Sequence, residues 1–331
     1  MQRVTRDDVA RLAGTSPAVV SYVLNNGPRP VAPATRARVE QAIAELGYRP
    51  NLVARALRST RSNVLGLVVP DSSEGYFTQL THAVERAAFA RGSLVLLGNS
   101  AFSREQELRY AESLANMRVD GLLLVRAEIA GAAATHSTLD VPVVYLHHHA
   151  PAGTAAPSVV LDNKAGGRLT TEHLLGHGYR EIGCLTGTAR SGPVADRARG
   201  WTEAMRAAKR SAGNVVRTGL DRHAARADIR RWLQSPERPR AIMATADGLA
   251  LDTLTVAAEL GLSVPKDLAV IGFGGTDAAA HSWPALSTAG HSFDDFADAA
   301  VSTLDQLREN TQPDDRVLDV RLTARASCGC D

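Results

Sequence analysis

The 331-residue sequence predicts an α/β protein that carries a small all-helical unit at its N-terminus. Helix start and stop signals fill roughly the first 60 residues, and from Asn63 onward apolar strand-like runs alternate with helical stretches. This length suits two domains, since a domain typically spans roughly 100–200 residues. Hydrophobic residues make up 44% of the chain and charged residues 22%, a composition that excludes disordered and fibrous classes.

The distribution of charge also changes near residue 61. The whole chain has a formal net charge of +2, but residues 1–61 hold ten arginines against four acidic residues, so their net charge is +6. The rest of the chain therefore carries −4. A basic unit joined to a mildly acidic body is typical of a nucleic-acid-binding module attached to a second domain.

Sequence signals for export or membrane insertion are missing, so we expect a cytoplasmic protein with no membrane partner. No apolar run approaches the roughly 18 residues of a membrane span, and the N-terminal residues MQRVTRDDVA lack the apolar segment of a signal peptide. Cys184, Cys328 and Cys330 are too few for a disulfide scaffold, which suits a reducing compartment.

Capping signals predict two short helices joined by a tight turn. Thr5 followed by Asp8 forms a capping-box pattern at the start of the first helix, and Gly14 is placed to end it. Ser16 and Pro17 then start a second helix, as a side-chain cap and a pre-organised first residue. Two such helices form a helix-turn-helix, whose second helix enters the major groove of DNA.

A third helix is predicted from Pro33 to Leu46, with Gly47 as its stop. Ala32 stands at its N-cap and offers no side-chain oxygen, a loss of about 1 kcal/mol. Any small three-helix bundle produces such patterns, so the helix signals alone leave DNA binding and a plain bundle equally open.

Residues 4–59 closely resemble, without a gap, the DNA-binding head of the LacI/GalR family of bacterial transcription regulators, in VTRDDVARLAGTSPAVVSYVLNNGPRPVAPATRARVEQAIAELGYRPNLVARALRS. The resemblance implies a helix-turn-helix head over residues 1–60, and a core over 61–331 that binds an effector and dimerises. That core is expected to be bilobed and periplasmic-binding-protein-like, with two doubly wound parallel sheets. Position by position, the resemblance implies these DNA-binding residues: Thr5, Ser16, Pro17, Ala18, Ser21, Tyr22, Asn25, Asn51, Ala54, Arg55, Leu57 and Arg58. Tyr22 replaces a frequent arginine or histidine, and a phenol cannot grip guanine bidentately.

A short hinge helix is expected over residues 51–58, capped by Asn51. About eight residues form a helix that is marginal in water. The resemblance implies that two such helices of a dimer form together in the minor groove, where Leu57 wedges between base steps and bends the DNA. The alternative is an ordinary linker helix packed on the body.

Apolar runs in the body predict two parallel sheets covered on both faces. They lie at 63–70, 93–100, 121–125, 141–146, 158–163, 181–187, 241–246 and 268–275. The looser resemblance of this region implies an N-subdomain of about 62–161 and 290–322, and a C-subdomain of about 162–289 and 323–331. Ligands bind beyond the carboxyl ends of strands in such sheets, so a cleft between the subdomains is the expected effector site.

Matches to family positions that line this cleft predict the effector-binding residues Asp71, Ser72, Phe77, Arg126, His147, Asp162, Arg197, Trp201, Asp247 and Gly274. Phe77 and Trp201 could equally be core aromatics. The chain has His147, Ala246 and Gly274-Gly275 where the family commonly has an aspartate, an asparagine and two aspartates. With two acids and an amide lost, and with Arg197 and His147 present, the cleft should be more positive than a neutral-sugar site. The sequence therefore indicates an anionic effector, or no small-molecule effector at all.

Other motifs give only weak signals for a cofactor, metal or redox site. The glycines around Gly274 lack the third glycine of a dinucleotide loop, because position 277 is Asp277. His147, His148 and His149 point alternately on extended chain, which favours a solvated loop or cleft edge over a metal site. Cys328 and Cys330 suggest a frayed tail. We therefore expect no cofactor, no metal and no enzymatic activity.

The sequence thus predicts a transcriptional regulator, most simply a repressor, that binds a pseudo-palindromic double-stranded operator as a homodimer. A small-molecule effector would shift the dimer between two hinge states. The rival interpretation is a metabolite receptor with a vestigial head. The missing export signal and the intact head and hinge sequences count against that rival.

Overall fold

A computed structural model of the chain describes residues 4–25, 27, 29–48, 61–126, 139–219 and 222–330. The chain forms two compact units, Met1–Ser62 and Asn63–Asp331. The hinge helix expected at 51–58 lies outside the described residues.

The N-terminal unit contains α1 (Arg6–Leu12), α2 (Pro17–Asn25) and α3 (Pro33–Leu46). Thr5 and Asp8 form the predicted capping box, and Gly47 ends α3 in the left-handed conformation, with φ 59°. Each helix contributes one fully buried valine to the shared core, namely Val9, Val20 and Val39. The local capping signals therefore placed all three helices correctly.

The larger unit alternates strands and helices. Its helices are α4 (Gly75–Ala90), α5 (Arg104–Asn116), α6 (Asn163–Gly176), α7 (Gly192–Ala207), α8 (Arg222–Gln234), α9 (Asp247–Glu259), α10 (Asp277–His281) and α11 (Phe293–Arg308). Its strands are β1 (Val64–Val69), β2 (Leu94–Asn99), β3 (Leu122–Val125), β4 (Val143–Leu146), β5 (Ser158–Leu161), β6 (Ile182–Gly187), β7 (Val215–Thr218), β8 (Ala241–Ala244), β9 (Ala269–Gly274), β10 (Ser287–Gly290), β11 (Arg316–Leu318) and β12 (Arg321–Thr323). No described helix is long and apolar enough to cross a membrane.

Two six-stranded sheets define two lobes. The first lobe has strand order β11-β5-β4-β3-β1-β2, and the second has β12-β10-β9-β8-β6-β7. Among the described strands, every pairing is parallel except that of β10 with β12, which is antiparallel. The central strands are completely buried, as expected for sheets covered by helices on both faces. The α/β class and the doubly wound sheets predicted from the sequence are confirmed.

Four short strands escaped the sequence analysis, namely β7, β10, β11 and β12. β7, β11 and β12 are edge strands whose residues are largely half-exposed, so they lack the continuous apolar run that marks a buried strand. β10 is buried but only four residues long, and its sequence Ser-Thr-Ala-Gly is small and polar. Neither kind of strand contains the continuous apolar run from which the other strands were predicted.

Between the described strands, the chain passes from one lobe to the other three times. It leaves the first sheet after β5, returns after β10, and crosses again between β11 and β12. The last helix, α11, belongs to the first lobe, where Phe296, Val301 and Leu304 are buried in the core cluster of β1, β3 and α4. Neither lobe is therefore one continuous segment of chain.

Candidate nucleic-acid interface and ligand cleft

In the N-terminal unit, α2 has one buried and one accessible face. Val20 and Val23 are buried in the helical core. Ala18 is exposed and Pro17, Ser21 and Tyr22 are half-buried on the opposite, accessible face, at the spacing that places residues on one side of a helix. Four residues predicted to face DNA thus share one surface.

The ends of α2 and α1 are shaped by predicted polar residues. The Ser16 hydroxyl accepts a hydrogen bond from the Val19 amide at 3.4 Å, and so caps α2. The Thr5 hydroxyl lies 2.6 Å from Asp8 Oδ2 and accepts from the Asp8 amide at 3.3 Å. Thr5 therefore has a structural role besides its predicted contact with the DNA backbone. The side chain of Asn25 and the positions Asn51, Ala54, Arg55, Leu57 and Arg58 lie outside the described residues.

In the larger unit, the candidate cleft lies between the lobes at the carboxyl ends of the strands. Helices α6 and α7 approach very closely there, because Gly167 and Gly200 face each other's helix. A Cβ atom on Gly167 would lie 2.1 Å from Arg197 O, and one on Gly200 would lie 2.1 Å from Lys164 O. This contact fixes the position of Arg197 on α7.

Arg197 is buried, with 4% of its surface exposed. Its Nε donates to Asn163 Oδ1 at 2.8 Å, and Nη1 donates to Thr245 O at 2.8 Å. The guanidinium carbon lies 3.9 Å from the centre of the Phe273 ring, a cation–π contact. The charge is therefore held in one orientation at the carboxyl ends of β5, β8 and β9.

Asp247, the first residue of α9, is the buried acid of the same region. Its Oδ2 accepts from the Thr276 amide and hydroxyl, each at 2.9 Å, and its Oδ1 accepts from the Thr288 hydroxyl at 2.6 Å. Burial raises the pKa of Asp247, while these hydrogen bonds and nearby Arg197 oppose the rise. Gly274 adopts φ 151°, and a Cβ atom there would lie 3.0 Å from Asp247 Oδ2, so a larger residue would crowd the carboxylate.

An aromatic and histidine cluster lies in the first lobe, next to the crossover that follows β10. The Tyr76 hydroxyl lies 3.0 Å from His291 Nε2, across 215 residues of sequence. The Tyr76 ring also packs on His147 and Phe293, with ring centres 5.1 and 5.2 Å apart, and Phe77 packs edge-on against Tyr76. Only the positions of Phe77 and His147 were predicted. Contacts formed by Tyr76 and His291 depend on the fold and have no local sequence signal.

Burial keeps the cleft histidines neutral. It lowers the pKa of His147 well below the ordinary value, helped by the charges of His148 and Arg197, and it lowers the pKa of His291 to about 4. His147 therefore adds no positive charge to the cleft at neutral pH, contrary to its use in the sequence argument for an anionic effector. The argument for an anionic effector therefore depends on the positive charge of Arg197.

The remaining predicted cleft residues follow the carboxyl ends of β1, β3 and β5. Asp71 Oδ1 accepts from the Ser73 amide at 2.9 Å, and the Ser72 hydroxyl accepts from Asn99 Nδ2 at 3.4 Å. Asp162 caps α6 by accepting from the Ala165 amide. Arg126 donates to His149 O at 3.3 Å.

Two expectations need correction. Trp201 is 1% exposed, packs in the core of the second lobe, and donates its indole N–H to Ile182 O, so it lies in the core rather than on the cleft. The C-terminal cysteines do not form a frayed tail. Cys328 is completely buried within a short 3₁₀ turn, because Ser327 beside it is hydrogen-bonded into β9 and the segment before β10.

The architecture and the accessible helix-turn-helix face together define a DNA-binding regulator with a two-lobed sensor body. Residues 5–51 match the model of bacterial regulatory proteins of the lacI family, and residues 171–328 match a periplasmic binding protein-like domain. The chain belongs to the lacI family, a family of effector-modulated transcriptional regulators.

Relatives support this assignment over nearly the full length. The chain is 32% identical over 319 residues to the ribose operon repressor of Escherichia coli strain K12, covering 93% of this chain and 94% of that protein. It is 30% identical over 329 residues to the transcriptional repressor PurR of Proteus mirabilis, covering 98% and 96%. The lac repressor dimer bound to operator and the anti-inducer ONPF has a TM-score of 0.85 at 26% identity, with 99% of each chain covered. These relatives are transcriptional regulators.

Proposed function

We propose that this protein acts in the cytoplasm as a homodimeric repressor, binding a pseudo-palindromic operator with the accessible face of α2 from each subunit. The observation that carries the proposal is that Pro17, Ala18, Ser21 and Tyr22 share one accessible face of α2 in a unit of net charge +6. A recognition helix needs such a face, and the arginine-rich surroundings suit attraction to phosphates. Two copies related by two-fold symmetry match a two-fold operator.

Variants of Tyr22 test the reading face. A gel-shift assay would use DNA flanking the protein's own gene, with competitor DNA at fixed salt. Tyr22→Ala should weaken specific binding by about 5- to 150-fold, the equivalent of about 1–3 kcal/mol for one lost base contact. Gln41→Ala, an exposed neutral change on α3, is the matched control. Equal binding by Tyr22→Ala and the control would exclude Tyr22 from base recognition.

The proposed hinge contact has its own test. Leu57→Ala should weaken specific binding far more than non-specific binding, because wedging between base steps requires DNA that is bent in register. An equal loss on operator and random DNA would contradict the wedge. Light scattering on the same samples would measure mass, and a monomer bound to DNA would contradict the dimer.

We further propose that the effector is a small anion, such as a phosphorylated or carboxylated metabolite, and that it binds between the lobes. Supporting this, the Arg197 guanidinium is held at the carboxyl ends of three strands, where ligands of open α/β sheets bind. Asp247 is already occupied by three hydrogen bonds from threonine residues. An arriving anion can pair with Arg197 without competing for those donors.

Calorimetric titration distinguishes the effector classes. Phosphorylated and carboxylated sugars should bind the wild-type protein, and Arg197→Lys should weaken that binding because lysine cannot offer the planar fork of donors. Arg168→Lys, an exposed arginine on α6, is the control. Micromolar binding of an unmodified monosaccharide would contradict the anionic assignment.

A further inference from the structure

Four potential metal ligands meet at the end of the second lobe opposite the cleft. His173 lies in the last turn of α6 and His177 caps that helix, while Cys328 and Cys330 belong to the C-terminal segment. The ligand atoms of all four side chains lie within 4.8 Å of one another. We call these four residues the His–Cys cluster.

Local structure explains how the cluster forms. His173 and His177 are four residues apart on a helix, so their rings project from the same face, and the ring centres are 4.7 Å apart. Gly329, between the cysteines, adopts φ 101°, a conformation that other residues rarely adopt. That turn directs both sulfur atoms toward the helix end.

Hydrogen bonds hold the segment before the cysteines in place. The Ser327 hydroxyl is completely buried, accepts from the Ser287 amide at 2.8 Å and donates to Val270 O at 2.6 Å. The Arg325 amide donates to Ser287 Oγ at 2.8 Å. The cysteines are therefore presented by an anchored backbone, and a ligand would not have to order a loose tail.

Four of the six ligand–ligand distances are close to those of a tetrahedral zinc ion, and all six are within 4.8 Å. Bond lengths of about 2.0–2.1 Å to nitrogen and about 2.3 Å to sulfur imply ligand–ligand distances of about 3.3 Å for N···N and about 3.6 Å for N···S. His173 Nε2 and His177 Nε2 are 3.2 Å apart. The N···S distances are 3.2 Å from His173 to Cys328, 3.2 Å from His177 to Cys330 and 3.5 Å from His173 to Cys330.

We propose that the His–Cys cluster is a structural zinc site that ties the C-terminal segment to the end of α6. Two thiolates and two imidazoles are a donor set that favours zinc over calcium or magnesium, which prefer oxygen. Binding displaces one proton from each thiol, so the ion enters with release of two protons. The Ser287 hydroxyl lies 3.0 Å from Cys328 Sγ and can donate to the thiolate, as neighbours of metal ligands commonly do.

Metal analysis of the full-length protein tests the site. Protein purified under reducing conditions and dialysed against trace zinc should contain one zinc ion per chain, as expected for a closed four-ligand site. Cys328→Ser, Cys330→Ser and His177→Gln should each lower the zinc content. Cys184→Ala removes the third cysteine, which is buried in the same core but is not one of the four clustered ligands, and should retain the metal.

Two measurements keep the test independent of variant folding. Chelation of zinc from the wild-type protein should lower its thermal unfolding midpoint, and added zinc should restore it. Cobalt substitution should give thiolate-to-metal charge-transfer bands that weaken when one cysteine is replaced. Reduced protein that stays free of zinc, zinc content unaffected by the ligand variants, or a Cys328–Cys330 disulfide in protein handled without oxidant would overturn the proposal.

Discussion

The two ends of helix α6 organise polar side chains in opposite ways. At the cleft end, Asn163 orients the Arg197 guanidinium and three hydrogen bonds orient the nearby Asp247 carboxylate, so both side chains are held in place by the protein itself. At the tail end, His173 and His177 face two thiols, and all four are groups that bind a metal as electron-pair donors. The cleft end is thus organised by hydrogen bonds within the protein, whereas the tail end would be completed by a bound metal ion.

Removing the buried carboxylate should disrupt the cleft end most. Asp247→Ala leaves the Thr276 and Thr288 donors without their acceptor and removes the negative charge near Arg197, at a cost of about 3–5 kcal/mol in the free energy of unfolding. Denaturant titration measures the loss. Asp277→Ala, the exposed aspartate at the start of α10, should change stability by less than about 0.5 kcal/mol. Similar effects of the two variants would show that the hydrogen bonds accepted by Asp247 do not stabilise the fold.

Separating α6 from α7 should disrupt the same end by a different route. Gly167→Ala places a methyl group against Arg197 O, and the two helices must move apart at a cost of about 3 kcal/mol. Gly176→Ala, at the end of the same helix, meets no atom within 4 Å and should be neutral or slightly stabilising. Thermal unfolding compares the two, and equal midpoints would contradict the close helix contact.

The tail end should depend on Ser327 to a smaller extent. Ser327→Ala leaves the Ser287 amide and Val270 O unsatisfied, a loss of about 1–3 kcal/mol. Thr255→Ala removes an exposed hydroxyl that bonds only to a carbonyl in its own helix among the described contacts, and serves as control. Ser327→Ala should also reduce zinc retention if the anchored backbone presents the cysteines. Unchanged stability would mean that the segment is held by other contacts.

Acidification should weaken the cleft end gradually. Because burial lowers the pKa of His291 to about 4, the unfolded chain binds a proton there more readily than the folded chain. The stabilising contribution of neutral His291 is present above its ordinary pKa of about 6.5 and is lost as pH falls toward 4. His291→Gln should flatten the pH dependence of unfolding in that window, whereas exposed His281→Gln should not. An unchanged slope in His291→Gln would contradict the assignment.

Features set by neighbouring residues were predictable. The capping box of α1 and the bounds of α3 follow from Thr5, Asp8, Pro33 and Gly47, because caps act within one helical turn. Buried strands such as β3 and β9 follow from their continuous apolar runs. The family resemblance supplied Arg197 and Asp247 as cleft candidates, and in the structure both are buried near the carboxyl ends of β8 and β9. Their contact with an effector stays a prediction.

Features set by distant residues were not predictable in the same way. Tyr76 meets His291 across 215 residues, and His173 meets Cys328 across 155. The C-terminal cysteines looked like a loose end because their burial depends on Ser287 and Val270, far away in sequence. The spacing of His173 to His177 and of Cys328 to Cys330 was the available signal, and it becomes informative only when the two pairs are considered together.

The threefold passage of the chain between the lobes has a consequence for synthesis on the ribosome. The helical head can fold once it has emerged, because all of its core lies within the first 62 residues. The first lobe must wait for Phe296, Val301, Leu304 and strand β11, which are translated after nearly all of the second lobe. The incomplete sheet of the first lobe therefore stays exposed for the longest time during translation. Chaperones that bind apolar surface would be expected to bind there, although this lobe is the first of the two to be synthesised.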